Sequence, residues 1–177
     1  MHVIRMTIEN DAKNRISALS QGLPHYTHLL SLHAAQATIT DHKKIITAHY
    51  VREAIDKALD QAQQSIVSMY HKATHSPREN LYPQVLLACA MAGTDNLGYF
   101  AAPDVRTPMK KIMGNYYDIL AFSQHLNAFC ESARGPVLQR TGTTRRFRFR
   151  FINPLMQPFV IMDGIKKELI KECDIYN

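Results

Sequence analysis

The chain has 177 residues, 46% of them hydrophobic and 20% charged, which suits one ordinary domain or two small ones and excludes a disordered tail. Twenty-one lysines and arginines against fifteen acidic residues give a formal charge of +6 and an isoelectric point of about 9.3, a balance that points towards an anionic partner but does not by itself choose between nucleic acid, a membrane surface and no partner. Three scattered cysteines (Cys89, Cys130, Cys173) exclude a disulfide framework, and no apolar stretch reaches the ~18 residues that span a bilayer, so a soluble cytoplasmic protein with no membrane partner is expected.

In chain order, Ile8, Ala12, Ile16 and Leu19 recur at helical spacing over 8–20, and Gln21-Gly22 stops the pattern. Pro24 opens a second helix to about Ala37, apolar at Leu29, Leu30, Leu32, Ala34 and Ala35. TITDHKK reads as a polar loop. Thr47 is read as the cap of a third, long helix through Tyr70, with Val51, Ile55, Ala58 and Leu59 on one face. Residues 1–73 therefore read as a three-helix unit, and the polar, proline-bearing stretch 74–81 as a linker.

The pattern then changes. Tyr82–Ala92 is almost continuously apolar, a buried helix, and 93–103 carries two glycines and a proline, hence a loop. A short helix runs from Thr107-Pro108 to Met113, ended by Gly114, and Asp118 caps another through ILAFSQHLNAFCES. After Gly135-Pro136 come two strands around a Thr-Gly-Thr-Thr turn. Over 146–151 phenylalanine and arginine alternate, so the phenylalanines take one face and the arginines the other. Asn153-Pro154 opens a last helix that Pro158 bends or delays. The chain is thus expected to be mainly α with a small β-hairpin. Three helices and a hairpin over 82–151 have the order of a winged helix-turn-helix domain, which occupies 82–177. In that fold the third helix usually reads the major groove and the hairpin lies along phosphate or the minor groove.

Charge singles out the same region. Residues 104–151 hold nine basic side chains against three acidic ones, a surplus equal to that of the whole chain. Five arginines (Arg140, Arg145, Arg146, Arg148, Arg150) fall within eleven residues. Cations facing phosphate release counterions and bind without regard to sequence, whereas a charged outer face that merely blocks edge-to-edge aggregation needs fewer. Lys110 and Lys111 extend the patch. On the candidate recognition helix Gln124, His125 and Asn127 are placed to reach bases, since Asn and Gln suit adenine. That helix has no lysine or arginine between Ile119 and Ser132, so backbone contact through the hairpin is the expected mode.

Catalytic signatures are missing. The nearest approach to a phosphate loop, Gly93-x4-Gly98, is followed by Tyr99 and Phe100 instead of Lys and Ser/Thr. There is no G-x-S-x-G and no H-E-x-x-H. His25, His28 and His33 lie in one helix without a carboxylate or thiolate at ligand spacing, so no metal site is expected. The chain reads as non-catalytic and as binding no cofactor by itself.

Two stretches resemble the lid of AAA+ ATPases: Ser20-Gln21-Gly22-Leu23-Pro24-His25, at the start of a helix, and Ile46-Thr47-Ala48-His49-Tyr50-Val51-Arg52-Glu53-Ala54. They look most like the branch that holds the secretion- and transposition-type and the origin-recognition ATPases. In the last of these a winged helix domain follows the lid. The resemblance covers the helical half through these two motifs and the second half through architecture. It implies that the residue after the lid proline is sensor 2, normally an arginine on the nucleotide γ-phosphate; here it is His25. It also implies that ATP and magnesium bind to an ATPase core outside this chain, which is then the C-terminal part of a longer protein coupling nucleotide state to DNA contact. Two alternatives remain at this level: a winged helix that docks protein, and a stand-alone transcription regulator. In the docking case the apolar helix bearing Phe159, Val160, Ile161 and Met162 packs on the core or a partner, or drives self-association into a homo-oligomer.

Overall fold

A computed structural model describes residues 5–77, 80–143 and 146–175. The chain is mainly helical with small sheets, and it divides into two units, residues 1–62 with 175–177, and residues 63–174. Among the described residues no helix is long and apolar enough to cross a membrane.

In the first unit, strand β1 (Thr7–Ile8) runs parallel to β2 (Ile45–Ile46), with Thr7 opposite Ile45 and Ile8 opposite Ile46. Helix α1 (Asn10–Ser20) ends where Gln21 and Gly22 take positive φ, 51° and 71°. Helix α2 (Pro24–Thr40) starts on Pro24, whose missing N–H would be unpaired in a first turn anyway. It runs past the expected end at Ala37. Thr38 and Thr40 are accommodated because their hydroxyls donate back to the carbonyls of Ala34 (2.7 Å) and Gln36 (3.0 Å). Helix α3 (Ala48–Asp60) buries Val51, Ile55, Ala58 and Leu59 as their spacing predicts, and packs with α1 against α2.

The third helix expected through Tyr70 is two helices. Helix α3 ends at Asp60 and α4 (Gln64–Thr74) begins after Gln63, whose backbone is extended at ψ 132°. The two halves serve different cores. Helix α4 buries Ile66, Tyr70, Ala73 and Thr74 in the second unit, so the division falls after Ala62 and not in the 74–81 stretch.

The second unit is built around α5 (Tyr82–Met91), in which every residue from Val85 to Ala90 is buried. A short strand β3 (Phe100–Ala101) and a 3-10 turn (Ala102–Val105) follow, inside the stretch expected to be all loop. Then come α6 (Arg106–Met113), ended by Gly114 at φ 71°, and α7 (Ile119–Ala128), where the Asp118 carboxylate accepts the Ile119 N–H at 2.7 Å. Strands β4 (Leu138–Thr141) and β5 (Arg148–Phe151) form the hairpin, and the antiparallel sheet has the order β3–β5–β4. Helix α8 (Met156–Lys166) closes the unit; Pro158 sits in its first turn, where no helical hydrogen bond is lost.

Helix α5 packs against α4, α6, α7 and α8. The approach of α8 needs Gly164, because a Cβ there would lie 2.8 Å from the δ-carbons of Leu87. Helices α4 and α8 are tied by Tyr70, whose hydroxyl donates to Asp163 Oδ2 at 2.7 Å, while Lys167 Nζ meets the same oxygen at 2.7 Å. A hydrogen bond to a charged acceptor contributes about 1.5–3 kcal/mol, so this brace fastens α4 to the second unit.

Candidate nucleic-acid interface

The hairpin is amphipathic because successive side chains of a strand alternate faces. Phe149 and Phe151 are buried, and Phe149 stacks on Phe100 with ring centroids 6.0 Å apart. Arg148 and Arg150 point the other way, as the alternation predicts. The register adds something that spacing does not give. Arg140 lies opposite Phe149, while Gln139 and Thr141 lie opposite Arg150 and Arg148. Directly opposed residues share a face, so Arg140 sits on the phenylalanine side, away from Arg148 and Arg150. The five arginines do not form one strip.

Those on the outer face are bound to the loop before β3. Arg148 Nη2 meets Asp95 Oδ2 at 3.0 Å and donates to the Tyr99 carbonyl at 3.4 Å. Arg150 lies over the Tyr99 ring, 4.8 Å from its centroid, and donates to the Leu97 carbonyl at 3.3 Å. With its amide oriented to satisfy its neighbours, Gln139 accepts from Arg150 Nε (3.0 Å) and Nη2 (2.8 Å) and from the Tyr99 hydroxyl (2.8 Å). Asp95 organises the loop, its Oδ1 accepting from the N–H groups of Leu97 and Tyr99, both at 2.9 Å. The Tyr99 N–H above all, then the Leu97 N–H and the charges of Arg148 and Arg150, hold this carboxyl below the ordinary carboxylate range.

On the other side, Arg140 Nη1 donates to Asn127 Oδ1 on α7 at 2.7 Å and stacks over Phe147 at 4.4 Å. Both partners are neutral, so among the described residues the Arg140 charge is uncompensated. Arg146 is exposed and has no side-chain partner among the described residues. Arg145, also expected at the interface, lies outside them. Lys110 and Lys111 are exposed in the last turn of α6, where a cation is favoured; Lys111 Nζ donates to the Asp174 carbonyl at 3.3 Å.

On α7, Gln124 is exposed, but Asn127 is engaged by Arg140. His125 cannot reach a base: it is buried, edge-on to Tyr82 at 4.7 Å, and burial lowers its pKa. Arg134 also belongs to the framework. It covers the Tyr82 ring at 3.8 Å and donates to the carbonyls of Ala73 (3.2 Å) and His75 (2.6 Å) at the end of α4.

Between α7, β5 and the 102–105 turn lies a groove of about 660 Å³, floored by Leu126 and Phe149 and walled by Ala102, Pro103, Ile119 and Phe147. Next to Ile119, Leu120 is 81% exposed. Nothing in the sequence separates this leucine from the buried Leu126, and neither the groove nor the tie between the expected 93–103 loop and the hairpin arginines follows from it. The Asp95-Asn96-Leu97-Gly98 run is a turn signal that marks the loop, but not its arginine partners.

In the first unit, His25 is the second residue of α2, half-buried, with Nε2 lacking a hydrogen-bond partner among the described residues and the ring edge-on to Tyr26 at 5.0 Å. His28 is exposed, and His33 is buried with Nδ1 3.0 Å from Gln36 Oε1. Among the described residues no three His, Cys, Asp or Glu side chains are grouped to hold a metal ion. No protein-family model, no curated protein and no solved structure matches this chain.

Proposed function

We propose that residues 63–174 form a winged helix domain that binds the DNA backbone, and that the preceding helices form the lid of a AAA+ ATPase, with ATP and magnesium held by a core outside these residues. The succession α5, β3, α6, α7, β4, β5 and the sheet order β3–β5–β4 support the domain assignment, because in a winged helix the first strand pairs with the last and the third helix lies open beside the hairpin. The observation that carries DNA binding is the charge of Arg140 and Arg146 beside α7, uncompensated among the described residues, extended by Lys110 and Lys111. Contact is to phosphate, since α7 offers only Gln124 as an exposed, unengaged polar reader.

The lid reading rests on Ser20–His25 and Ile46–Ala54 falling at the starts of α2 and α3. His25 then stands in the sensor 2 place and couples nucleotide state to the rest of the protein. A reading frame without a G-x4-G-K-[ST] loop upstream would remove the lid.

The test of DNA binding is fluorescence anisotropy of a labelled duplex of about 30 base pairs, titrated across a salt series. Log affinity should fall linearly with log salt, with a slope near −0.9 per phosphate contacted. A flat trace at low salt would end the DNA reading.

A further inference from the structure

The groove between α7 and β5 has a lining that a DNA backbone does not use. Its floor and walls are aliphatic or aromatic, and the polar groups at its edge are largely engaged: Asn127 Oδ1 accepts from Arg140, and Ser123 Oγ donates to the Leu120 carbonyl at 3.4 Å. A nucleobase buried there would leave its ring donors and acceptors unpaired, which is costly, whereas an apolar side chain would leave nothing unsatisfied. The volume, about 660 Å³, is of the size that takes a compact organic group. Leu120, 81% exposed and one turn before Ser123 on α7, extends the apolar surface beyond the rim. Around that rim the charge is positive: Arg146 lines it with no side-chain partner among the described residues, Arg148 lines it while paired with Asp95, and Arg140, bound to the lining residue Asn127, has neutral partners among the described residues.

We propose that this groove docks an acidic, amphipathic segment of a partner protein. The segment seats an apolar side chain among Ala102, Ile119, Leu126 and Phe147, packs a second against Leu120, and sets carboxylates on Arg140 and Arg146. Anchors three or four residues apart on a helix are the usual way to fill such a groove. Because the same two arginines serve phosphate in the DNA reading, the docked segment and duplex DNA exclude each other, and the groove becomes the place where a partner releases the domain from DNA.

The test uses the whole chain and a labelled helical peptide of about 16 residues, with Leu and Phe at every third or fourth position and Glu between them. One control peptide replaces the apolar residues with Ser, another replaces Glu with Lys, and a labelled oligothymidylate of similar length is the nucleic-acid probe. The acidic amphipathic peptide should bind in the micromolar range, each control peptide and the oligothymidylate at least about tenfold more weakly. Ala102→Trp, which fills the groove, should weaken it similarly in a protein whose circular dichroism is unchanged. If Ala102→Trp fails to fold, the peptide comparison alone decides. Equal binding of the Ser peptide, no binding of the acidic amphipath, or tighter binding of oligothymidylate would each overturn the proposal. These titrations contain no duplex, so their failure is separate from failure of the duplex titration.

Discussion

The two faces of the hairpin carry arginine in different chemical states. On the outer face Arg148 and Arg150 are held by Asp95, Gln139, Tyr99 and the Leu97 carbonyl. On the side facing α7, Arg140 has neutral partners, and Arg146 before β5 has none among the described residues. A guanidinium already matched by a carboxylate and several oxygens must break those bonds to meet phosphate, while one with a surplus charge need not. Counting basic residues therefore overstates the interface. The outer pair fixes the loop on the strand, and the inner pair is the one on which the proposed DNA contact rests.

The largest effect separates core from charge. Phe149→Ala, on the buried side of β5 and stacked on Phe100, should cost about 3–5 kcal/mol in urea unfolding. Next comes Arg134→Ala, which removes a cation that the charge count assigns to the patch but the structure assigns to α4. Losing its hydrogen bonds to the Ala73 and His75 carbonyls should cost about 1.5–3 kcal/mol of stability and leave DNA affinity unchanged in folded protein. Asp95→Ala should sharpen the contrast from the other direction. It unlocks the 95–99 loop with a modest fall in Tm, releases Arg148, and steepens the salt dependence of DNA binding by up to about one phosphate contact.

The smallest effect is one of pH. The Asp95 carboxyl is held low in the folded chain, so its contribution is present above the ordinary carboxylate value of about 3.9 and is lost as pH falls through the lowered folded value. The amide signals of Leu97 and Tyr99 in an NMR titration should shift with a midpoint below that ordinary value. A midpoint at or above it would deny the loop its lock.

How much of this was legible follows from what each element needs. The alternation of Phe and Arg over 148–151 showed through because a strand with one buried face must alternate. The side taken by Arg140 did not, since it depends on the register across the turn. The break between α3 and α4 was hidden because Leu59 and Ile66 are seven residues apart, which keeps the helical phase, and no glycine or proline marks 61–63. In α7 the apolar residues outnumber the space in the core, so sequence alone could not say that His125 turns inward while Leu120 stays outside. Strand β3 is two residues long and exists only through its pairing with β5. The tie from Asp95 to Arg148 crosses so much chain that no local pattern announces it.

The most direct measurement compares two double variants in the duplex salt series. Arg140→Ala with Arg146→Ala should lose about tenfold or more in affinity at low salt and flatten the slope by roughly two contacts. Arg148→Ala with Arg150→Ala should keep the wild-type slope. Equal losses from the two pairs would contradict the division of the hairpin into a structural and a binding face, and an unchanged slope in the first pair would contradict phosphate contact through it.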